Sequence, residues 1–243
     1  MADHVLVTGG SRGIGAAVVR LAAARGDRVT FTYAGDEAAA RSLVDELGPS
    51  VASIKADARD TAAAGDVLAR AIDRHGEIDV LVNNAGTTGR LGTFSETSES
   101  EIRAVFELNV FATMAHSRTV VDRWSAQGRT GVVVNVSSIA AATGSPGEYV
   151  GYAASKAAVE TFTRGLGREL APHGIRVVAV SPGTTDTGIH ARAGDPGRPA
   201  RIVARVPLGR VAQPEEIARV ILWAASDEAS YLTATTIPVT GGL

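Results

Sequence analysis

Short β-branched apolar runs alternate along nearly the whole chain with longer, alanine-rich segments whose apolar positions recur at helical spacing. The runs fall at residues 5–8, 29–33, 51–56, 80–83, 132–136, 176–180 and 236–239. Each is short and bounded by Gly, Asp, Asn or Pro, the mark of strands buried on both faces. Between them the spacing predicts helices over 13–25, 37–47, 62–75, 99–124, 153–171 and 214–225. Ser98-Glu99-Ser100-Glu101 reads as a capping box opening the fourth helix, with Ser98 at the cap and Glu101 returning to its amide. Alternation of this kind implies one α/β domain across residues 1–243, a doubly wound parallel sheet with helices on both faces. Residues 187–207 break the pattern, being rich in Gly, Pro and Arg without periodicity. A loop that long in a compact domain is usually functional, often a lid.

Composition narrows the function. With 24 basic against 26 acidic residues, no excess charge is available to hold a polyanion, which argues against nucleic acid as partner. The absence of cysteine excludes disulfides, thiolate nucleophiles and zinc–thiolate sites, and no metal site is expected. The longest charge-free stretch, residues 130–147, holds Asn135, Ser137, Ser138 and Pro146 and is too polar to span a membrane. The first residues run straight into Val5-Leu6-Val7, without the pattern of a secretory signal, so the expected location is cytoplasmic.

The first strand leads into Thr8-Gly9-Gly10-Ser11-Arg12-Gly13-Ile14-Gly15 and then a helix. Gly9 permits the tight turn, Gly13 lets the backbone approach a pyrophosphate, and Gly15 lets helix and strand pack closely. A ligand's negative charge would then rest on the free amides of the helix N-terminus. A glycine-rich turn without a ligand is the plainer alternative, but the place between first strand and helix suits a Rossmann-type dinucleotide site. A site selective for NAD usually carries an acidic residue at the end of the second strand. Here that position is Tyr33, with Thr32 before it. Arg12 could pair with a 2′-phosphate, or be a solvated loop cation, and Asp36 lies close enough to swing back. NADP(H) is therefore the expected cofactor, with NAD(H) usable.

Tyr152 and Lys156 stand four residues apart in Gly151-Tyr152-Ala153-Ala154-Ser155-Lys156, a spacing that puts both on one helix face. A phenol with pKa near 10 is a poor base at neutral pH. A neighbouring ammonium could lower that value and make Tyr152 a usable proton donor and acceptor. The same spacing arises by chance on many helix surfaces.

Taken together, the glycine loop, Asn83-Asn84-Ala85-Gly86, Ser137-Ser138, the Tyr152/Lys156 pair, Ser181-Pro182-Gly183 and the C-terminal Gln213-Pro214-Glu215-Glu216 and Thr240-Gly241-Gly242 resemble the short-chain dehydrogenases/reductases over essentially the whole chain. Within that family the sequence looks similar to bacterial 3-oxoacyl-ACP reductases and sugar dehydrogenases. The resemblance implies an NAD(P)-dependent oxidoreductase acting on a carbonyl or secondary alcohol. Tyr152 would be the general acid/base, and Lys156 would lower its pKa and bind the nicotinamide ribose. Ser138, rather than Ser137, would polarise the substrate oxygen, and Asn109 would hold a proton-relay water. Asn84, Ala85 and Gly86 would pass close to the cofactor, and Asp57 with Ala58 would meet the adenine, Asp57 otherwise being a helix cap. Pro182, Gly183, Thr185 and Thr187 would border the carboxamide. A homotetramer or homodimer is implied as well. The family pattern is departed from in three places. The Ser138–Tyr152 interval is one residue longer than the commonest spacing, Thr185 stands where Val or Ile is usual, and Ala234 and Thr240 replace Gly and Asp. The competing reading is a catalytically silent relative that binds a dinucleotide as a regulatory or scaffolding module. Such a relative would be expected to lose Tyr, Lys or Ser first, and all three are present.

Overall fold

In a computed structural model that describes residues 3–243, the alternation becomes a seven-stranded parallel sheet in the order β3-β2-β1-β4-β5-β6-β7. The strands are β1 His4–Val7, β2 Arg28–Tyr33, β3 Val51–Lys55, β4 Val80–Asn83, β5 Gly131–Val136, β6 Ile175–Pro182 and β7 Thr235–Val239. The chain starts in the middle of the sheet, winds out through β2 and β3, then crosses back to β4 and winds out the other way. Strand order reverses between β1 and β4, and in open sheets of this type ligands bind at the carboxyl ends beside that reversal.

Period-2 alternation sorts the core. Val5, Val7, Val82, Val134 and Val180 face one layer, with helices α1 Gly13–Ala24, α2 Glu37–Leu47 and α10 Pro214–Ala225. Leu6, Leu81, Val133 and Val177 face the other, against Val67 of α3 (Ala64–His75), Trp124 of α5 (Ala112–Gln127) and Leu170 of α7 (Val150–Leu170). That second face turns polar toward the carboxyl ends. Asn83 and Asn135 are paired neighbours in the register, and the Asn83 amide donates to Asn135 Oδ1 and to Ser117 of α5, both at 2.9 Å. Asn135 donates in turn to Thr163 of α7 at 2.9 Å. This chain of buried polar groups ties two strands to the two helices that cover them.

The helix expected over 99–124 is interrupted. It runs as α4 Glu99–Phe106, a π-helical turn Glu107–Phe111, and then α5. The expected capping box is present, with Ser98 Oγ accepting from the Glu101 amide at 3.2 Å and Glu101 accepting from the Ser98 amide at 2.8 Å. The interruption centres on Asn109, fully buried, whose side chain is held by neighbours outside the helix, the usual setting of such bulges. Residues 187–207, expected as an unpatterned loop, contain two short helices, α8 Ile189–Arg192 and α9 Arg198–Ile202, and a 3₁₀ turn Val203–Arg205. These pieces are too short for periodicity to reveal. Four-residue α6, Ala140–Thr143, follows β5. Among the described residues no helix is long and apolar enough to cross a membrane.

Candidate active site

A cleft of about 610 Å³ opens along the carboxyl ends of the strands. At one end lies the turn after β1. Gly9 adopts φ +67°, which favours glycine. A Cβ on Gly15 would fall 2.4 Å from the Gly9 carbonyl and 2.5 Å from the Asn84 amide, so α1 packs against the loop only because no side chain intervenes. Gly10 is as constrained, since a Cβ there would strike Phe31 of β2 at 2.4 Å. Nothing in the local sequence announced that contact. Asn84 clamps the loop from β4, donating to the Thr8 and Gly9 carbonyls at 3.0 Å, while Thr8 Oγ1 accepts from the Asn84 and Ala85 amides. The N-terminus of α1, twelve residues long, has no side-chain cap. Its amides are free to face an anion.

Beyond the loop, Tyr33 closes β2 and carries no charge to repel a phosphate. Thr32 is buried, and its hydroxyl accepts from the Gly9 amide at 3.2 Å, so it braces the turn. Arg12 is half exposed and pairs with Asp36 at 3.1 Å. Asp36 also caps α2 by accepting from the Ala39 amide at 3.0 Å. Asp57 is bound by Arg59 at 2.5 Å, which keeps its carboxyl below the usual range. Arg59 also lines the cleft, as does Arg192 of α8, which lies within the field of Arg12. Sequence reasoning named neither as a cofactor residue, although Arg59 stands only two residues beyond Asp57.

At the centre, α7 begins three residues earlier than its periodicity predicts, which puts Tyr152 in its first turn and Lys156 one turn on. Lys156 is buried and donates to the Val136 carbonyl at 2.7 Å. Burial lowers its pKa to about 8. The Lys156 ammonium lies 5.9 Å from the Tyr152 ring centroid. Burial raises the Tyr152 pKa, while a hydrogen bond from Ser138 and the charge of Arg198 pull it down. Ser137 instead turns to α7 and donates to Glu160 at 2.9 Å, leaving Ser138 as the serine beside Tyr152.

Asn109 lies behind this centre and not on the cleft wall. Its amide donates to the Thr87 carbonyl and Ser155 Oγ, and its Oδ1 accepts from the Thr87 amide, all at 2.9 Å. A Cβ on Gly86 would lie 3.2 Å from Asn109 Oδ1 and 3.5 Å from Lys156 Nζ, so the three meet at one point. The cleft wall includes Gly9, Ser11, Arg12, Gly13, Ile14, Thr32, Tyr33, Asp57, Ala58, Asn84, Ala85, Gly86, Ser138, Tyr152, Lys156, Pro182, Gly183, Thr185 and Thr187. Of the residues given a catalytic or cofactor role from the sequence, Gly15 and Asn109 are the two that do not line it. At the far end Arg198 stacks over Tyr149, 5.0 Å from its centroid, and pairs with Glu148 at 2.6 Å. Tyr149 in turn meets the Tyr152 ring edge-on at 5.8 Å.

Comparison with known proteins agrees with this layout. A family model described as enoyl-(acyl carrier protein) reductase matches residues 9–243. An uncharacterized oxidoreductase, YgfF of Escherichia coli strain K12, is 42% identical, the match covering 98% of each chain. The structure of a 3-ketoacyl-(acyl-carrier-protein) reductase from Brucella melitensis complexed with NADH superposes with a TM-score of 0.91 at 27% identity, covering 99% of this chain and 97% of that one. A variant of the actinorhodin polyketide ketoreductase with NADPH gives 0.91 at 32%, covering 100% and 97%. The chain belongs to the short-chain dehydrogenase/reductase family and is an NAD(P)-dependent oxidoreductase.

Proposed function

We propose that the protein interconverts a carbonyl compound and a secondary alcohol, with Tyr152 giving its proton to the substrate oxygen in reduction and recovering it in oxidation. The observation that carries this reading is that Ser138 and Tyr152 line the same cleft, with the buried Lys156 ammonium 5.9 Å from the Tyr152 ring centroid. The two hydroxyls converge where a carbonyl oxygen can receive one hydrogen bond from Ser138 and a proton from Tyr152. Burial keeps Tyr152 protonated near neutrality, which suits it as an acid. Lys156 supplies positive charge that favours the phenolate as the proton leaves, and reaches toward a ribose. Asn109 fixes the Thr87 strip and Ser155 beside Lys156, and the family likeness gives it a proton-relay water.

The glycine cradle and uncapped helix end fit a dinucleotide, which when bound supplies or accepts the hydride. NADP(H) is favoured, with NAD(H) accepted less well, because Arg12 and Arg59 line the same cleft as the uncharged Tyr33 while Asp36 and Asp57 are already engaged by those arginines. The substrate is a small carbonyl or alcohol. The assembly is a homotetramer or homodimer. Strand β7 is an edge of the sheet, and Tyr231, Trp223 of α10 and Leu208 are exposed; sedimentation showing only monomer at micromolar concentration contradicts this. The cysteine-free chain suits the reducing cytoplasm.

Tyr152→Phe is the direct test. Turnover on a carbonyl panel should drop about 10²–10⁴-fold, the worth of a positioned general acid, while NADPH still binds. A wild type that binds NADPH but turns over nothing on the panel would favour the silent-relative reading instead.

A further inference from the structure

The substrate end of the cleft carries two buried polar atoms without a protein partner, the Tyr149 hydroxyl and Nδ1 of His190. The residues are 6% and 7% exposed, and both line the cleft. Buried polar groups are nearly always hydrogen-bonded, so an orphan on a cleft wall marks where a ligand brings the partner. The chemistry of that partner follows from each side chain. His190 Nε2 lies 3.1 Å from the Thr185 carbonyl oxygen. A carbonyl only accepts, so Nε2 carries the ring proton and Nδ1 is a bare lone pair. Burial and the nearby Arg198 hold the imidazole below its ordinary pKa, so it stays neutral at pH 7.

Nδ1 therefore calls for a donor. A plain ketone offers only lone pairs and leaves it unpaired. Arg192, Arg198 and Arg205 line the cleft, and Arg198, Asp186 and Asp195 all act on His190, so the surroundings carry both signs and call for no charged donor. A hydroxyl remains. The Tyr149 hydroxyl can donate or accept, and its ring is fixed between Tyr152 and the Arg198 guanidinium that Glu148 anchors. The orphaned hydroxyl thus belongs to the ring that packs directly on Tyr152.

We propose that the site selects carbonyl substrates bearing a hydroxyl next to the reacting carbon, hydroxyketones in reduction and vicinal diols in oxidation. His190 Nδ1 accepts from that hydroxyl and Tyr149 hydrogen-bonds it. The inference rests on the oxidoreductase reading above and sharpens its substrate class.

Hydroxyacetone and butanone are near-isosteric and differ by a hydroxyl in place of a methyl, so the ratio of their kcat/KM values isolates this contact. With NADPH the wild type should favour hydroxyacetone by about tenfold or more, the size of one well-made buried hydrogen bond. Tyr149→Phe and His190→Phe should each bring the ratio close to one. A wild-type ratio near one, or a ratio unchanged in both variants, overturns the proposal. Because His190→Phe also gives up the bond to Thr185, imidazole nitrogen NMR on the isotope-labelled wild type with NADP provides a second readout. Hydroxyacetone should move the His190 Nδ1 resonance in the direction of a hydrogen-bonded acceptor, and butanone should not. The same response to both compounds, or to neither, overturns the proposal. Equal turnover of both ketones sinks only the substrate class. No turnover of either, with the selective NMR shift intact, sinks the oxidoreduction reading and leaves the hydroxyl site standing.

Discussion

The two ends of the cleft are built by opposite means. The dinucleotide end is made of backbone: glycines that exclude a Cβ, free helix amides, and Asn84 holding two strand ends together. The substrate end is made of side chains from distant segments, with Arg198 reaching back fifty residues to Glu148 and His190 propped on Thr185. Backbone cradles tolerate almost no substitution, whereas side-chain walls can be exchanged one residue at a time. One end therefore suits a ligand that never changes, and the other a substrate that differs from relative to relative.

Where the two ends meet, the largest effects are expected. Lys156→Ala and Ser138→Ala should each lower kcat by about 10²–10³, but only the lysine change should also weaken dinucleotide binding. Equal dinucleotide affinity in Lys156→Ala and wild type would detach the lysine from the ribose. The same lysine sets a pH dependence. Its pKa is lowered to about 8, so its charge is present below that pH and is lost above it. Reduction should hold steady near neutrality and fall above about pH 8, with Tyr152 still protonated there because burial raises its pKa. A reduction profile flat to pH 10 would show that the lysine charge is dispensable.

A more direct break in the comparison sets Gly15→Val against Arg198→Met. The valine must displace the Gly9 carbonyl or the Asn84 amide; overpacking of this kind costs about 1–3 kcal/mol, and dinucleotide affinity should fall with thermal stability. Arg198→Met should leave dinucleotide affinity alone and alter substrate KM, since the arginine contacts Tyr149 and Glu148. Isothermal titration and thermal melts on both variants check the contrast. If Arg198→Met weakens the dinucleotide as much as Gly15→Val does, the two ends are not separable.

Much of the first end was legible in the sequence. Glycine positions, Asn84, Ser138 and the Tyr152/Lys156 pair occupy contiguous motifs whose geometry follows from one turn or one helix. The strand and helix runs were legible for the same reason, since alternation and helical spacing are local. The second end was legible only as an unpatterned functional stretch, residues 187–207, without its contacts. On sequence alone His190 could touch substrate or be a solvated loop residue, because its partner, Thr185, engages it only once 187–207 folds into short helices. The constraint on Gly10 comes from Phe31 on another strand, and the π turn at Asn109 is set by Thr87 and Ser155, which lie far along the chain. What depends on tertiary neighbours leaves no periodic trace.

Smaller effects refine the picture. Arg12→Ala should narrow the preference for NADPH over NADH by roughly tenfold, the worth of a charge-assisted hydrogen bond, mainly by weakening NADPH. A ratio of kcat/KM values that does not change, or a wild type preferring NADH, removes Arg12 from the ribose site. The smallest change lies outside the cleft. Ala234 stands where the family usually has glycine, and it adopts φ +56°, a conformation costly to any residue with a Cβ. Ala234→Gly should stabilise the fold by about 0.5–1 kcal/mol, raising Tm by roughly 1–4 °C. A lower Tm would mean that the alanine methyl contributes packing worth more than its strain.

The buried asparagines of β4 and β5 have a consequence for how the halves of the site are levelled. A hydrophobic pattern of period two cannot distinguish the native alignment of two strands from one slipped by two residues, because the same faces stay apolar. The Asn83–Asn135 pair can. Any slip parts the two amides and leaves each without its partner in a dry layer, at about 1–3 kcal/mol per unsatisfied group. Three residues beyond Asn83 is Gly86, and three beyond Asn135 is Ser138. The amide pair thus works as a vernier, setting the height of the serine on one strand against that of the glycine at which Lys156 and Asn109 meet on the other.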